Sequence, residues 1–283
     1  MKQKLTTTCH DRDVAGYRYI YPVISRRSGG LSIGINFNTN NTCNWRCLYC
    51  QVPDLNFGAA PAIDLALLED ELRAFFADLD SGSFYAKFEL EKAAHTVKDI
   101  AISGNGEPTS LKLFAEAIEI IGSMAQAEQI IPTSQFILIT NGSLIHLPHV
   151  REGLRRLNYY GGKIWFKLDS ATDAGRKKIN NAKLSTQSVS RNLRLAAELC
   201  PVWLQTCLVN INGLGFSEQE RSAYLDFLSQ VKKDVTLQGI MLYSIARPSF
   251  QPEAPNLSPM PTEQMQTLAD EISHLGFEVS VNA

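Results

Sequence analysis

Three cysteines fall within eight residues of this chain, Cys43, Cys47 and Cys50, in a C-x-x-x-C-x-x-C arrangement inside the stretch NFNTNNTCNWRCLYCQ. Thiolates spaced this closely converge on a shared centre, and soft sulfur donors select zinc or iron–sulfur clusters. A four-iron cluster held by only three cysteines leaves one iron without a protein ligand, and that open position is where a substrate or cofactor coordinates. Two other readings stand beside this one. The thiols are three buried small hydrophobes, or they are part of a zinc site completed by Cys9, His10 or His95; the sequence offers no second closely spaced ligand pair for such a site. The other cysteines, Cys9, Cys200 and Cys207, are scattered. Clustering of this kind is unlike a disulfide framework and fits a reduced compartment.

The elements that must position these thiols alternate along the chain. Short β-branched and apolar runs at 31–37, 99–103, 136–140, 163–168, 202–209, 235–243 and 277–281 predict strands. Between them, apolar residues at a spacing of three or four predict helices at 65–79, 111–126, 188–199, 218–231 and 262–274. Such βα units build a mainly parallel sheet, either open and doubly wound or a partial or complete barrel, and both bind ligands at the carboxyl ends of their strands. The four prolines between Gln251 and Pro261 predict an extended surface connection. One domain follows an N-terminal extension of about 30 residues, which either covers the mouth of the sheet or packs against its side.

Chemistry is therefore expected just after each strand. The cysteine loop follows the first. The second ends in ISGNGEPTS, where Gly104 and Gly106 allow close approach to the backbone and Glu107 can accept hydrogen bonds from an ammonium group; alternatively Glu107 and Pro108 open a helix. The third supplies Thr140, Asn141 and Gly142, and the fourth Lys167, Asp169 and Ser170, where a tight turn at Asn141-Gly142 and a helix cap at Asp169 or Thr172 are the structural alternatives. The fifth brings Gln205, Asn210 and Asn212 toward the same rim, with Cys200 and Cys207 as packed core thiols. The sixth ends with Tyr243 and Arg247, an arginine able to bind a carboxylate or phosphate.

The cysteine spacing, with Tyr49 before the last cysteine, resembles the signature of the radical S-adenosylmethionine (SAM) superfamily. The resemblance implies an enzyme whose single [4Fe–4S] cluster is held by Cys43, Cys47 and Cys50 and chelates SAM, which one electron cleaves to methionine and a 5′-deoxyadenosyl radical. It implies an α/β fold, a partial (β/α)6-type TIM barrel with a short N-terminal extension: residues 1–30 and a core of 31–283. Gly104, Asn105, Gly106 and Glu107 resemble the superfamily's glycine-glycine-glutamate motif for the methionine amino group. Tyr49, Thr140, Asn141, Lys167, Asp169 and Ser170 are implied to line the cofactor site, leaving Tyr243 and Arg247 as candidates for catalysis. The stretches SIGINFNTNNTCNWRCLYCQ, ISGNGEPT and LYSIARP resemble the wyosine-type (tRNA imidazoguanosine synthetase-like) branch, whose best-known members build a tricyclic base on a tRNA guanosine. Archaeal members carry a second cysteine triplet upstream, where this chain has only Cys9, and eukaryotic versions add a flavodoxin-like domain. An external electron donor such as flavodoxin or ferredoxin is expected.

Composition bounds the partners. With 283 residues, 45% hydrophobic and 20% charged, the chain is neither disordered nor fibrous. No segment has the composition of a membrane span or a secretion signal, so a cytoplasmic protein is expected. The net charge of −2 does not advertise a nucleic-acid binder, yet residues 151–194 hold 11 basic and three acidic side chains. If Arg151, Arg155, Arg156, Lys163, Arg176, Lys177, Lys178 and Lys183 form one face beside the cysteines, RNA is the substrate; if they scatter, a small molecule or peptide is. An activating enzyme that installs a glycyl radical on a protein partner is a further alternative, and a zinc-stabilised binding module is the non-enzymatic one.

Overall fold

The computed structural model describes Leu5, Arg12 and residues 14–25 and 28–282 of the chain. Eight strands form one sheet whose spatial order follows the chain: β1 (Ile20–Ser25), β2 (Gly30–Asn36), β3 (Val97–Ser103), β4 (Gln135–Thr140), β5 (Lys163–Lys167), β6 (Val202–Cys207), β7 (Gly239–Tyr243) and β8 (Val279–Asn282). From β2 to β8 every neighbouring pair is parallel. Helices α1 (Leu65–Asp80), α2 (Phe114–Ala127), α3 (Pro148–Tyr159), α4 (Asp173–Asn180), α5 (Thr186–Leu199), α6 (Glu218–Val231) and α7 (Thr262–His274) fill the connections. This is a mixed α/β partial barrel, one of the architectures that the strand–helix alternation leaves open and the one that the family resemblance implies.

The two faces of the sheet differ, and the period of two in the strands is the cause. Ile33 and Ile35, Ile100 and Ile102, Phe136 and Leu138, Ile164 and Phe166, Leu204, and Ile240 and Leu242 all belong to the main core, which the helices complete with residues such as Leu72, Phe75, Ile118, Leu154 and Leu193. Each such side chain contributes about 1.5–3 kcal/mol on burial. The alternate residues Ser32, Gly34 and Asn36, Asp99, Ala101 and Ser103, Trp165 and Lys167, Gln205 and Tyr243 line a cavity on the other face. One face is thus a hydrophobic anchor, and the other is left half polar for ligands.

Several local features depart from the sequence expectations. Strand β1 was not among the predicted strands; it runs antiparallel to β2, Ile20 opposite Ile35, after a turn in which Gly29 has φ +70°. Its Pro22 weakens the sequence signal, and β1 is an edge strand, where proline is tolerated. The predicted run 202–209 divides: β6 ends at Cys207, and Val209–Ile211 leaves the sheet to pair antiparallel with Leu257–Pro259. The proline-rich connection is therefore partly a strand. Helices α3 and α4 were not predicted; α4 has no apolar stripe, buries Gly175, Arg176 and Asn180, and is capped by Thr172, which accepts from the Gly175 amide. Among the described residues no helix is long and apolar enough to cross a membrane.

Candidate functional site

The cysteine loop leaves the carboxyl end of β2 and is clamped by backbone bonds on three sides. Thr42–Cys43 pairs with Asn56–Phe57, and the Gly58 amide donates to the Cys43 carbonyl at 3.0 Å. Arg46 and Leu48 donate to the carbonyls of Asn180 and Ile179 at the end of α4, at 3.1 and 2.8 Å. Phe250 donates to the Cys50 carbonyl at 2.9 Å, the Ser249 hydroxyl reaches the Leu48 carbonyl at 2.6 Å, and Arg46 forms a bidentate pair with Glu253.

The three sulfurs line one wall of a cavity of about 1240 Å³. Two of them accept hydrogen bonds: Cys43 Sγ from the Trp45 amide at 3.4 Å and Cys47 Sγ from the Asn180 side-chain amide at 3.2 Å. Burial raises all three thiols; Cys47 lies at about 11, with the Lys167 ammonium and the Asn180 amide pulling the other way. Donors directed at the sulfurs are what a thiolate bound to iron requires. Among the described residues no three His, Cys, Asp or Glu side chains converge closely enough for one metal ion. His95 stacks on Tyr85 and its Nε2 bonds the Leu90 carbonyl, next to the amino end of β3 and so at the opposite end of the sheet from the cysteines. Cys9 and His10 lie outside the described residues.

The glycine–glutamate segment faces the cysteine loop across this cavity. A Cβ on Gly106 would sit 1.9 Å from the Thr42 carbonyl oxygen and 2.6 Å from the Asn38 side chain, so the two loops touch backbone to backbone. Gly104 has φ +125° and is equally crowded by Asn36. Asn36 Oδ1 joins the loops by accepting from the amides of Asn38 and Asn105, both at 3.0 Å. Replacing Gly106 by alanine is expected to force these loops apart at a cost of about 1–3 kcal/mol, and to lower the iron bound per chain after anaerobic reconstitution several-fold, by about that range; parental iron content in the variant would refute the coupling.

Glu107 is almost fully buried. Its Oε1 accepts from the Thr109 amide and hydroxyl and from the Thr140 hydroxyl, and Oε2 from the Asn141 amide at 2.7 Å. Burial raises its pKa, and these four donors oppose the rise. It also caps the short turn Pro108–Ser110, so the helix-start alternative holds together with its place on the cavity wall. Asn141 lines the wall too; its Oδ1 accepts from the Ser143 amide, the turn expected at Asn141-Gly142.

Deeper, a second polar group closes the cavity floor. Lys167 Nζ donates to the Tyr49 hydroxyl at 2.8 Å and the Tyr243 hydroxyl at 3.2 Å, and lies 3.8 Å from Asp169. Asp169 accepts from the Tyr49 hydroxyl, from Asn180 Nδ2 at 2.7 Å and from the Cys207 amide at 2.9 Å. Burial alone would lower the Lys167 pKa, but the Asp169 carboxylate and the neighbouring Tyr243, Cys47 and Cys207 outweigh it, and the net shift is well upward. Lys167 is a fixed cation.

Of the residues singled out in the sequence, Tyr49, Gly104, Asn105, Gly106, Glu107, Asn141, Lys167, Gln205, Tyr243 and Arg247 line the cavity with the three cysteines. Thr140, Asp169 and Ser170 stand behind that wall; Ser170 Oγ is engaged by Glu220 and Thr172. Asn210 and Asn212 join the small ladder beside Pro259 and Asn256. Cys200 and Cys207 are buried thiols, as expected. Gln205 Nε2 is buried without a hydrogen-bond partner, a donor left for a ligand. Sequence reasoning missed Asn180 and Arg12. The Arg12 guanidinium stacks 3.8 Å over Tyr21, its Nε donates to Asn105 Oδ1 at 3.1 Å, and it lines the cavity.

The basic stretch does not form one face. Arg155 and Arg156 pair with Glu152 on α3, Arg176 is buried against Asp173, and Arg194 pairs with Asp234. Lys163 begins β5, at the end of the sheet away from the cysteines. Lys177, Lys178 and Lys183 are the exposed cations on or just after α4, the helix that holds the cysteine loop.

A family model described as the Radical SAM superfamily matches residues 37–228. A curated relative, named GTPase Obg, from Brachyspira hyodysenteriae (strain ATCC 49526 / WA1) is 29% identical over 226 residues, which are 77% of this chain and 29% of that protein. The chain thus spans less than a third of that relative. Among solved structures, a radical SAM methyltransferase from Sphaerobacter thermophilus superposes with a TM-score of 0.60 at 14% identity, covering 95% of this chain and 70% of that one. The structure of TYW1 with a lysine-pyruvate adduct bound has a TM-score of 0.58 at 13% identity, covering 90% and 84%. At such identities the likeness is one of fold.

Proposed function

Because the chain belongs to the radical SAM superfamily, and so is an iron–sulfur enzyme with a [4Fe–4S] cluster and SAM as cofactors, we propose that Cys43, Cys47 and Cys50 are the cluster ligands. The cavity beside them then takes SAM and a substrate from which a hydrogen atom is abstracted. The observation that carries this reading is the placement of three half-buried thiols, two of them accepting hydrogen bonds, in the lining of one large cavity, with the glycine–glutamate segment packed against their loop. Bound there, the cofactors supply a 5′-deoxyadenosyl radical by one-electron cleavage of the sulfonium.

The chain's own residues bind and orient. Gly104 and Gly106 let their loop lie directly against Asn36, Asn38 and Thr42 of the cysteine loop, where a side chain would hold the two apart. Glu107 Oε2, with one donor against three on Oε1, keeps acceptor capacity for an ammonium group. Thr140 and Asn141 hold that carboxylate in place, as Asp169 does for Tyr49 and Lys167. The Arg247 guanidinium at the rim suits a carboxylate or phosphate. The TYW1 structure carries a lysine-pyruvate adduct; Lys167, the one lysine on this cavity wall among the described residues, is kept cationic by Asp169 and is not set up as a free amine nucleophile.

The scatter of the basic residues favours a small molecule or peptide over RNA as substrate. With six cysteines in the chain, three of them assigned to one cluster, the electron comes from a separate carrier such as a flavodoxin or ferredoxin. Electron paramagnetic resonance of the reconstituted, dithionite-reduced protein, with and without SAM, tests the reading. A [4Fe–4S] signal that changes on addition of SAM is expected; a protein that holds only zinc, or a signal indifferent to SAM, refutes it.

A further inference from the structure

The cysteine loop is bordered by two large apolar side chains that the fold leaves in water. Phe57 is 65% exposed and Phe250 66% exposed. They are not scattered at random. Phe57 is the register partner of Cys43, and the Phe250 amide donates to the carbonyl of Cys50, so each is one backbone contact from a proposed cluster ligand. The third ligand, Cys47, is touched by Asn180, the last residue of α4. On the outside of that helical end stand Lys177 and Lys178, with Lys183 just beyond; all three are exposed, and none makes an ion pair among the described residues. The carboxylates closest along these segments are already neutralised, Asp173 by Arg176 and Glu253 by Arg46, while Asp54 on the loop after Cys50 is exposed. Each of the three thiols is therefore bordered by an exposed aromatic ring, Phe250 standing also at the edge of the cavity, or by lysines without an ion pair among the described residues.

We infer that this rim, Phe57, Phe250, Lys177, Lys178 and Lys183, is the docking face for an acidic one-electron carrier protein. The inference rests on the proposed cluster ligands and goes beyond them by naming where the electron enters. Electron transfer falls off steeply with distance, and these lysines stand on or just beyond the helix whose last residue, Asn180, touches the Cys47 sulfur. Two exposed rings give a small apolar centre, and lysines around it steer a negative partner, the anatomy of a transient interface. Aromatic rings among lysines also suit a nucleic acid. Of the other cations of residues 151–194, Arg155, Arg156, Arg176 and Arg194 are paired with carboxylates and Lys163 stands at the far end of the sheet, which weakens the case for a phosphate backbone.

The test compares two reductants on the reconstituted enzyme, reading SAM cleavage as 5′-deoxyadenosine formed. One is sodium dithionite; the other is recombinant flavodoxin reduced by its NADPH-dependent reductase. In a Lys177→Glu/Lys178→Glu/Lys183→Glu variant, and separately in Phe57→Ser, the flavodoxin-driven rate is expected to fall about tenfold or more, and the dithionite-driven rate to stay within about twofold of the parent. The parental flavodoxin-driven rate should also fall with added salt. An unchanged flavodoxin-driven rate, or equal loss with both reductants, overturns the assignment. So does a variant that keeps the flavodoxin-driven rate and loses a gel shift with bulk tRNA, which gives the face to nucleic acid. A parent that cleaves no SAM with dithionite instead refutes the enzymatic reading itself.

Discussion

Replacing Cys47 by alanine is expected to leave a folded protein with little bound iron and a rate of SAM cleavage at least about 10³-fold below the parent. Two remaining thiolates do not hold a four-iron cluster, and among the described residues no spare thiol stands in reserve. Cys207, whose carboxylate neighbour Asp169 also touches the Asn180 that serves Cys47, is buried beneath Tyr49 with its thiol pushed far up by that burial. Cys200 bonds the Gly162 carbonyl at the other end of the sheet. Substituting Cys200 by serine should therefore leave iron and labile sulfide at parental levels. Equal iron in the parent and Cys47→Ala would remove Cys47 from the ligand set, and loss of iron in Cys200→Ser would redraw it.

Asp169→Ala is expected to be the most damaging single change to stability, at about 3–5 kcal/mol, or roughly 10 °C in thermal midpoint for a chain of this size. The carboxylate, itself out of solvent, is the acceptor for Tyr49, Asn180 and the Cys207 amide and the counter-charge for Lys167, whose side chain is mostly buried. Without it the Lys167 ammonium is a buried cation whose remaining partners are two phenols. The sign of the linkage follows from the raised pKa of Lys167. The stability that comes from its partner is fully present below the ordinary lysine pKa and is lost only as pH rises through the higher folded-state value. At neutral pH the whole penalty is felt. Lys167→Met/Asp169→Leu, which removes both charges, should recover most of the loss, as replaced buried ion pairs do. A double variant as unstable as Asp169→Ala would show that packing around Tyr49 and Cys207, rather than the stranded charge, sets the cost.

What the sequence could show divides along the range of the interactions. The cysteine triplet and the GNGEP segment are local patterns whose spacing is itself the message. The strands β2 to β8 were legible because buried parallel strands read as short apolar runs. Helix α4 was not, since its buried residues are Gly175, Arg176 and Asn180 and no apolar period marks it. The Asn180 to Cys47 contact spans 133 positions and Arg12 to Asn105 spans 93, so nothing in either neighbourhood announces them. The break between β6 and Val209–Ile211 was hidden for a related reason. Both pieces are apolar, and only the partner strand Leu257–Pro259, supplied from far along the chain, separates them.

The linear strand order has a geometrical consequence for what can be acted upon. Since β1 and β8 stand at the two margins of the sheet and are not hydrogen-bonded to each other, the curl has no fixed bore. A closed cylinder admits only objects slimmer than itself, whereas a trough accepts the tip of something long, such as one side chain of a peptide, while the remainder stays outside. The cavity volume therefore sets the size of the reacting group and not that of the molecule that carries it.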